Sequence, residues 1–432
     1  MSAPNPAQQP YPTVPAQADF PAFEQEVLAR WQQHGTFRRS IEQRPAGENE
    51  YVFYDGPPFA NGLPHYGHLL TGFVKDVVPR YQTMRGRRVE RRFGWDCHGL
   101  PAEMEAEKEL KISGREAVLG FGLAKYNDAC RQSVQKYTQQ WRNYVTRQAR
   151  WVDFDDDYKT MDLSYMESVL WAFKTLYEKD LVYEGQRVMA YSWALQTPVS
   201  NFETRIDDAT RPRQDPAVTV AFALHARPGD PGPLRILAWT TTPWTLPSNL
   251  ALAVGPELEY TIVAKDGVHY VLGTATLPSL KKELDGFVPV GTLRGKDLVG
   301  RTYEPMFPYF AGRPNCFRVL AADFVDTAEG TGVVHMAPGF GEDDQKVCEQ
   351  NGIELVCPVD ERGRYTHEIP EWHGTLVFDA NKEIVKVLKE RGVLLKFATI
   401  EHNYPHCWRT REPLIYKAIP GAWFVKVTAI KD

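Results

Sequence analysis

Apolar positions recur along the chain at two different periods, and the change of period divides it. Phe23, Val27 and Trp31 stand four apart between Asp19 and Gly35, which predicts a capped, surface-docked helix. Tyr51-Val-Phe-Tyr54 predicts a buried strand, a Gly/Pro-rich loop follows, and a helix runs from His65 to Met84, ended by Gly86. Strand, loop and helix in this order open a nucleotide-binding α/β unit. Helical spacing returns in Tyr126, Cys130, Val134, Tyr137, Trp141 and Tyr144, and again near Ser164 to Lys179 with Val169, Leu170, Phe173 and Leu176. Both faces are expected to pack on the sheet. After about Asn201 the texture changes to short strand-like runs divided by Gly/Pro turns: Ala217 to Leu224, Leu234 to Trp239, Tyr260 to Ala264, Tyr270 to Leu272, Phe317 to Leu320 and Val333 to Met336. These predict a second, β-rich domain. A helix over Ala380 to Arg391, stopped by Gly392, belongs to its far end, and from His402 the pattern turns aromatic and irregular. The chain carries no internal repeat.

The 432 residues are 43% apolar and 24% charged, room for about three domains. That composition excludes a small disulfide-stapled fold and a disordered chain. Six prolines within the first 21 residues predict a mobile extension before Asp19. No apolar stretch approaches the roughly 18 residues needed to cross a bilayer, and the uncharged start lacks the basic and apolar regions of a signal peptide. A soluble, cytoplasmic chain without a membrane partner is expected. The six cysteines form no Cys-x-x-Cys pair, so reduced thiols are the default. Net charge is −5, but from Lys75 to Arg92 seven basic residues face two acids. This local excess suits either a polyanion or a solvated helix end.

The chemistry concentrates in three segments. Gly56-Pro-Pro-Phe-Ala-Asn-Gly-Leu-Pro-His-Tyr-Gly-His68 places His65 and His68 three apart at a helix start, on one face and beside the positive end of the helix dipole. Such a site suits a phosphate. Gly67 removes a side chain where a nucleotide approaches the backbone, and imidazole donors can stabilise charge growing on an α-phosphate. Trp239-Thr-Thr-Thr-Pro-Trp-Thr-Leu-Pro-Ser-Asn249 lines up hydroxyls able to hold an ester, a ribose or a water. Gly330-Thr-Gly-Val-Val-His-Met-Ala-Pro-Gly-Phe-Gly-Glu-Asp-Asp344 reads as a strand, a Gly-rich turn and an acidic helix start, where a carboxylate can meet a cation. Spacing alone does not choose among Glu342, Asp343 and Asp344.

The first segment resembles the leading signature of class I aminoacyl-tRNA synthetases, and Gly94-Trp-Asp-Cys-His-Gly-Leu-Pro101 is similar to that of their isoleucine, valine and leucine branch. The threonine run resembles the editing motif of the isoleucine members. The resemblance runs from about Phe20 to the last residue. It implies an α/β fold: the first half of a Rossmann-type catalytic domain interrupted by a β-rich, barrel-like editing domain. Residues 1–49 would then be a disordered start and docking helix, 50–200 the first catalytic half, 201–400 the insertion and 401–432 a return segment. By the same resemblance His65, Gly67 and His68 contact ATP, with the two histidines catalytic, and Gly56, Pro57 and Asp96 line the amino-acid pocket. Thr240, Thr241, Thr242, Asn249, His335 and Asp344 form the editing pocket, with Asp344 on the α-amino group of the misacylated residue. Asp96 suits an α-ammonium because a carboxylate at a strand-to-helix turn forms charge-assisted hydrogen bonds.

The implied activity is ATP-dependent ligation of isoleucine to its tRNA through an adenylate, with hydrolytic editing of valine. A second sieve is needed because one methylene discriminates weakly in an apolar pocket. Substrates would be isoleucine, ATP with Mg2+ and tRNA, acting on a monomer. Family members often hold zinc with two Cys-x-x-Cys pairs. Here Ser192 and Leu195 stand at one pair, and Cys407 with Thr410 at the other, so no zinc is expected even with His402 and His406 nearby. No Lys-Met-Ser-Lys-Ser-like loop occurs before Asp432, which reads as an N-terminal portion not competent to ligate alone. The alternative is a non-ligating tRNA-binding or trans-editing module. A small-molecule nucleotidyltransferase is disfavoured, because the threonine row has no role in one.

Overall fold

The computed structural model describes residues 16–431, so most of the proline-rich start lies outside the described residues. It resolves into two compact units, residues 1–179 and 180–432.

The first unit contains α1 (Phe20–His34), α2 (Thr36–Glu42), α3 (Tyr66–Met84), β1 (Arg92–Trp95), α4 (Leu100–Leu110), α5 (Arg115–Phe121), α6 (Leu123–Ser133), α7 (Thr138–Arg147), β2 (Asp153–Lys159) and α8 (Leu163–Glu178). Asp19 caps α1 by accepting from the Ala22 N–H, and Gly35 ends it in the left-handed conformation. Docking runs through Trp31, edge-on to Trp151 at 5.3 Å, with the Arg80 guanidinium 4.2 Å from the centre of the Trp151 ring. The core gathers Phe93 and Trp95 of β1 with Val134, Trp141 and Val145. The helical face read across residues 121–150 is thus buried, although a turn between α6 and α7 breaks it into two helices.

Two expectations for this unit fail. Tyr51 to Tyr54 is not a buried strand: pairing is confined to a bridge between Glu50 and Arg88, and Val52 and Tyr54 are 67% and 90% exposed. Among the described residues the sheet here is the parallel pair β1 and β2 alone, and the segment joins neither strand, so only Tyr51 and Phe53 are partly covered. Likewise α8 buries none of its residues, leaving Leu170 and Trp171 in solvent. Amphipathic spacing marks a face that is apolar, whereas burial requires a surface to receive it. The basic stretch is largely consumed internally. Lys75 pairs with Asp55, Arg80 with Asp76, Arg88 with Glu90 and Arg92 with Asp156, while Arg91 is buried and donates to the Thr83 hydroxyl.

The second unit follows the alternation read from its sequence. Its strands are β3 (Val182–Ser192), β4 (Thr197–Pro198), β5 (Thr210–Ala223), β6 (Leu234–Thr240), β7 (Ala251–Val254), β8 (Glu259–Lys265), β9 (Val268–Gly273), β10 (Val288–Arg294), β11 (Arg318–Ala321), β12 (Val333–Met336), β13 (Leu394–Pro405) and β14 (Ile415–Val425); its helices are α9 (Gly295–Leu298), α10 (Glu342–Gln350) and α11 (Val377–Glu390). Nine strands form one sheet in the order β10-β8-β9-β6-β12-β7-β11, with β5 and β13 added beside β6. On one side β6 pairs antiparallel with β5. On the other it pairs parallel with β9 through its first half and with β12 at Trp239. Both of its faces are covered: Ile236 and Ala238 enter the main core, Leu237 a second cluster with Val263 and Leu272. That explains its unbroken apolar run. The residues after His402 fall largely on two strands, more regular than the reading above: β13 pairs with β5, and after a loop over 406–414 β14 pairs with β3. Their aromatic side chains sit on strands whose partners lie some 190 and 230 positions earlier, a pairing invisible to local pattern. The break between units falls at Lys179, ahead of the change of texture near Asn201, because β3 belongs with β14.

A Cβ placed on Gly94 would lie 2.2 Å from the Tyr158 ring, which crosses β1 there. Gly94→Ala should therefore destabilise the first unit by about 1–3 kcal/mol, measured as an earlier urea transition in the fluorescence of its tryptophans.

Candidate functional sites

In the first unit His65 is the N-cap of α3, and its Nδ1 accepts the Gly67 N–H at 3.1 Å. The His65 N–H donates in turn to Nδ1 of His68 at 3.2 Å. Each ring therefore uses Nδ1 as an acceptor, which assigns the neutral proton to Nε2 in both and leaves two outward donors. The rings lie 3.8 Å apart, and His68 rests edge-on against Trp141. Burial, then the neighbouring His65 and Lys75, hold His68 below the usual histidine range, so it stays neutral near pH 7. Gly67 has a nearer purpose than backbone access for a nucleotide, since a Cβ there would stand 3.0 Å from the His65 ring.

The loop before α3 is fixed at several points. Trp141 Nε1 donates to the Gly62 carbonyl, the Tyr137 N–H to that of Ala60, and the Asp96 N–H to that of Pro58 at 2.9 Å. The last bond brings Asp96, just past β1, against the Gly56-Pro57 loop, and its carboxylate accepts the His98 N–H. Sequence reading missed the anchor of this loop. The buried Asp55 carboxylate lies 2.8 Å from Lys75 Nζ and pairs with Arg150, while Lys75 also donates to the Gly56 carbonyl at 2.6 Å. Asp55 adjoins the motif and could have been suspected, but Lys75 and Arg150 carry no local signal.

In the second unit the parallel contact of β6 with β12 makes both strands end at the same edge of the sheet. The threonine run leaves one strand there, and the Gly-rich turn leading to Asp344 leaves the other. A direct bond joins them: Thr245 Oγ1 lies 2.8 Å from Nε2 of His335. His335 is also 2.9 Å from the Asn249 amide through Nδ1, so neither ring nitrogen is free for a ligand. Burial pushes this imidazole down to about 3, and it is neutral at any working pH. The Thr240 and Thr242 hydroxyls lie 3.2 Å apart, and the Thr241 hydroxyl makes no hydrogen bond among the described residues. Thr245 and Tyr303, whose hydroxyl donates to Asn249, are the members that sequence reading missed. Thr245 lay within the motif, whereas Tyr303 stands 54 positions from its partner.

The three acids opening α10 are not equivalent. Glu342 and Asp343 are exposed, while Asp344 turns inward and accepts the Ala337 N–H at 2.8 Å. Gly341 makes the room, since a Cβ there would meet the Asp344 carboxyl at 2.8 Å. Burial outweighs that hydrogen bond and, with Asp343 adding repulsion, raises Asp344 to about 6. Among the described residues no three His, Cys, Asp or Glu side chains gather as metal ligands. His402 faces Asp215, and His406 faces the Tyr404 carbonyl. Cys407 is buried, which opposes its ionisation, yet hydrogen bonds from Thr410 and Ser192 hold it below the usual thiol range.

A carboxylate raised on folding lowers stability as pH climbs from its unfolded value, near 4, through 6. Asp344→Asn should therefore stabilise the second unit by about 1–3 kcal/mol at pH 8 and by nothing below pH 4, read from paired thermal unfolding at the two pH values.

Comparison with known proteins gives these sites a context. The family model for "tRNA synthetases class I (I, L, M and V)" matches residues 26–432. Isoleucine–tRNA ligases of Rickettsia felis and Rickettsia peacockii are 57% and 59% identical over 98% of this chain. The chain spans about 40% of the length of each. A solved structure titled "The crystal structure of GlLeuRS-CP1" covers 42% of this chain and 98% of its own, at 15% identity and a TM-score of 0.35, a likeness too slight to add anything. Matched along nearly its whole length, the chain belongs to the class I tRNA synthetases of the isoleucine, leucine, methionine and valine group.

Proposed function

We propose that this chain supplies the first half of the catalytic site and the editing site of an isoleucine–tRNA ligase. The observation that carries this reading is the pairing, in one chain 57–59% identical to such ligases, of two outward imidazole donors at the start of α3 with a threonine and carboxylate site in a separate unit. The first unit is the catalytic half, of Rossmann type, and the β-rich unit is the editing domain. ATP with Mg2+ is the co-substrate. The isoleucine carboxylate attacks the α-phosphorus, and the Nε2–H groups of His65 and His68 stabilise charge growing on the phosphate as pyrophosphate leaves. Asp96, fixed against the Gly56-Pro57 loop, receives the substrate α-ammonium. The Asp55 ion pairs hold that loop rigid, which keeps ammonium and phosphate sites at a constant separation.

In the editing unit Asp344 receives the α-ammonium of a valyl ester. The Thr240, Thr241 and Thr242 hydroxyls hold the ester and the attacking water, and Asn249 with His335 sets the wall against which they stand. Water adds to the ester carbonyl, the tRNA hydroxyl leaves, and valine is released. A carboxylate near 6 becomes a strong partner once the substrate cation is opposite it.

Hydrolysis of valyl-tRNA of the isoleucine acceptor by the 432-residue chain tests this reading. Asp344→Ala should abolish it, and the rate should fall about tenfold per pH unit below pH 6; hydrolysis indifferent to Asp344 would sink the editing assignment. In a chain extended to the length of the relatives, His68→Ala should slow isoleucine-dependent ATP–pyrophosphate exchange by about 2.7–4 kcal/mol of barrier. An unchanged exchange rate would remove His68 from the chemistry.

A further inference from the structure

We infer that Tyr303 is a positioning residue of the second site, its hydroxyl fixing, together with the Ala251 carbonyl, the direction of a buried hydrogen-bond chain that runs through Asn249, His335 and Thr245 to the Thr242 carbonyl. The consequence for hydrolysis rests on the editing reading above; the direction of the chain rests on geometry alone. Asn249 Nδ2 lies 2.8 Å from the Ala251 carbonyl, an atom that can only accept. The amide group facing it must therefore be the NH2, and Oδ1 is turned to the Tyr303 hydroxyl, which donates to it at 2.7 Å. The second amide proton then points to His335 Nδ1 at 2.9 Å, which must offer a lone pair. A neutral ring so held carries its proton on Nε2 and donates to Thr245 Oγ1 at 2.8 Å. Thr245 directs its own proton to the Thr242 carbonyl at 2.8 Å. The Thr242 hydroxyl, 3.3 Å from Thr245 Oγ1 and 3.2 Å from Thr240 Oγ1 and only partly buried, is the first whose proton the chain does not fix and which can pass from either neighbour to a ligand. It is the donor that the chain leaves for a ligand.

Tyr303, Asn249, His335 and Thr245 are all buried, so no water replaces a partner lost among them. The Tyr303 ring packs edge-on against Phe222 at 5.3 Å and Phe317 at 6.0 Å, contacts a phenylalanine would keep. Tyr303→Phe thus deletes one donor and little else. Asn249 Oδ1 is then stranded without water, the amide is held from its NH2 side alone, and its bond to His335 Nδ1 loosens.

The test uses the full chain labelled with 15N-histidine, with long-range 1H–15N spectra at pH 7 and His335 assigned by its loss in His335→Gln. The native chain should show one neutral tautomer with a slowly exchanging proton on Nε2. In Tyr303→Phe, folded by near-ultraviolet circular dichroism, that proton should exchange roughly tenfold faster or more. Asn249→Asp, which keeps the acceptor for Tyr303 but replaces the donor to the ring, should move the proton to Nδ1. A native proton on Nδ1, or a His335 spectrum unchanged in Tyr303→Phe, overturns the inference. Because the spectrum needs no substrate, it is independent of the hydrolysis assay. An altered spectrum with undiminished hydrolysis upholds the Tyr303 link and counts against the editing reading instead.

Discussion

The second unit depends on one strand contact. Where β6 meets β12 in parallel at Trp239 and Val334, two segments almost a hundred residues apart end at the same edge of the sheet. Everything that follows those ends becomes a pair of walls: a threonine-bearing 3₁₀ turn on one side, a Gly-rich turn and an inward carboxylate on the other. An antiparallel contact would have sent the two to opposite edges. The buried bond between Thr245 and His335 then locks one wall to the other.

The first unit relies on a different device. Among the described residues its sheet is two strands wide, too narrow to hold a long loop by packing alone, and the Gly56-Pro57 loop is also clamped electrostatically. Asp55 is buried between Lys75 and Arg150, and two cations against one carboxylate offset the cost of taking that charge from water. The same lysine reaches the Gly56 carbonyl, so clamp and loop move together. The histidines are organised by the backbone in turn, each Nδ1 tied to a main-chain N–H and each Nε2 left outward.

The two polar sites also differ in what they cost. Asp344 is held above its ordinary range and His335 below its own, both by burial, so the folded chain carries groups it would ionise more readily unfolded. A purely structural carboxylate at a helix start would face solvent, as Glu342 and Asp343 do.

Local sequence determined the elements whose stability is local. The helix behind Asp19, the helix after His65 and the short strands from Ala217 to Met336 stand where spacing and turn residues set them, because capping, period and Gly/Pro punctuation act within a few residues. The motifs holding His65, His68, Asp96, Thr240 to Thr242 and Asp344 were legible through their resemblance to a known family, and spacing alone did not choose Asp344 from its acidic neighbours. Tertiary structure alone decided what those positions meet. Val52, Tyr54, Leu170 and Trp171 stay exposed, while the aromatic tail after His402 supplies two ordered strands by pairing with β5 and β3. Asp344 was separated from its two acidic neighbours by the space beside Gly341. Lys75, Arg150 and Tyr303 entered the sites across tens of residues with no motif around them. Burial and hydrogen-bond partnership are properties of folded neighbours, and a residue's neighbours in space are not written in its neighbours along the chain.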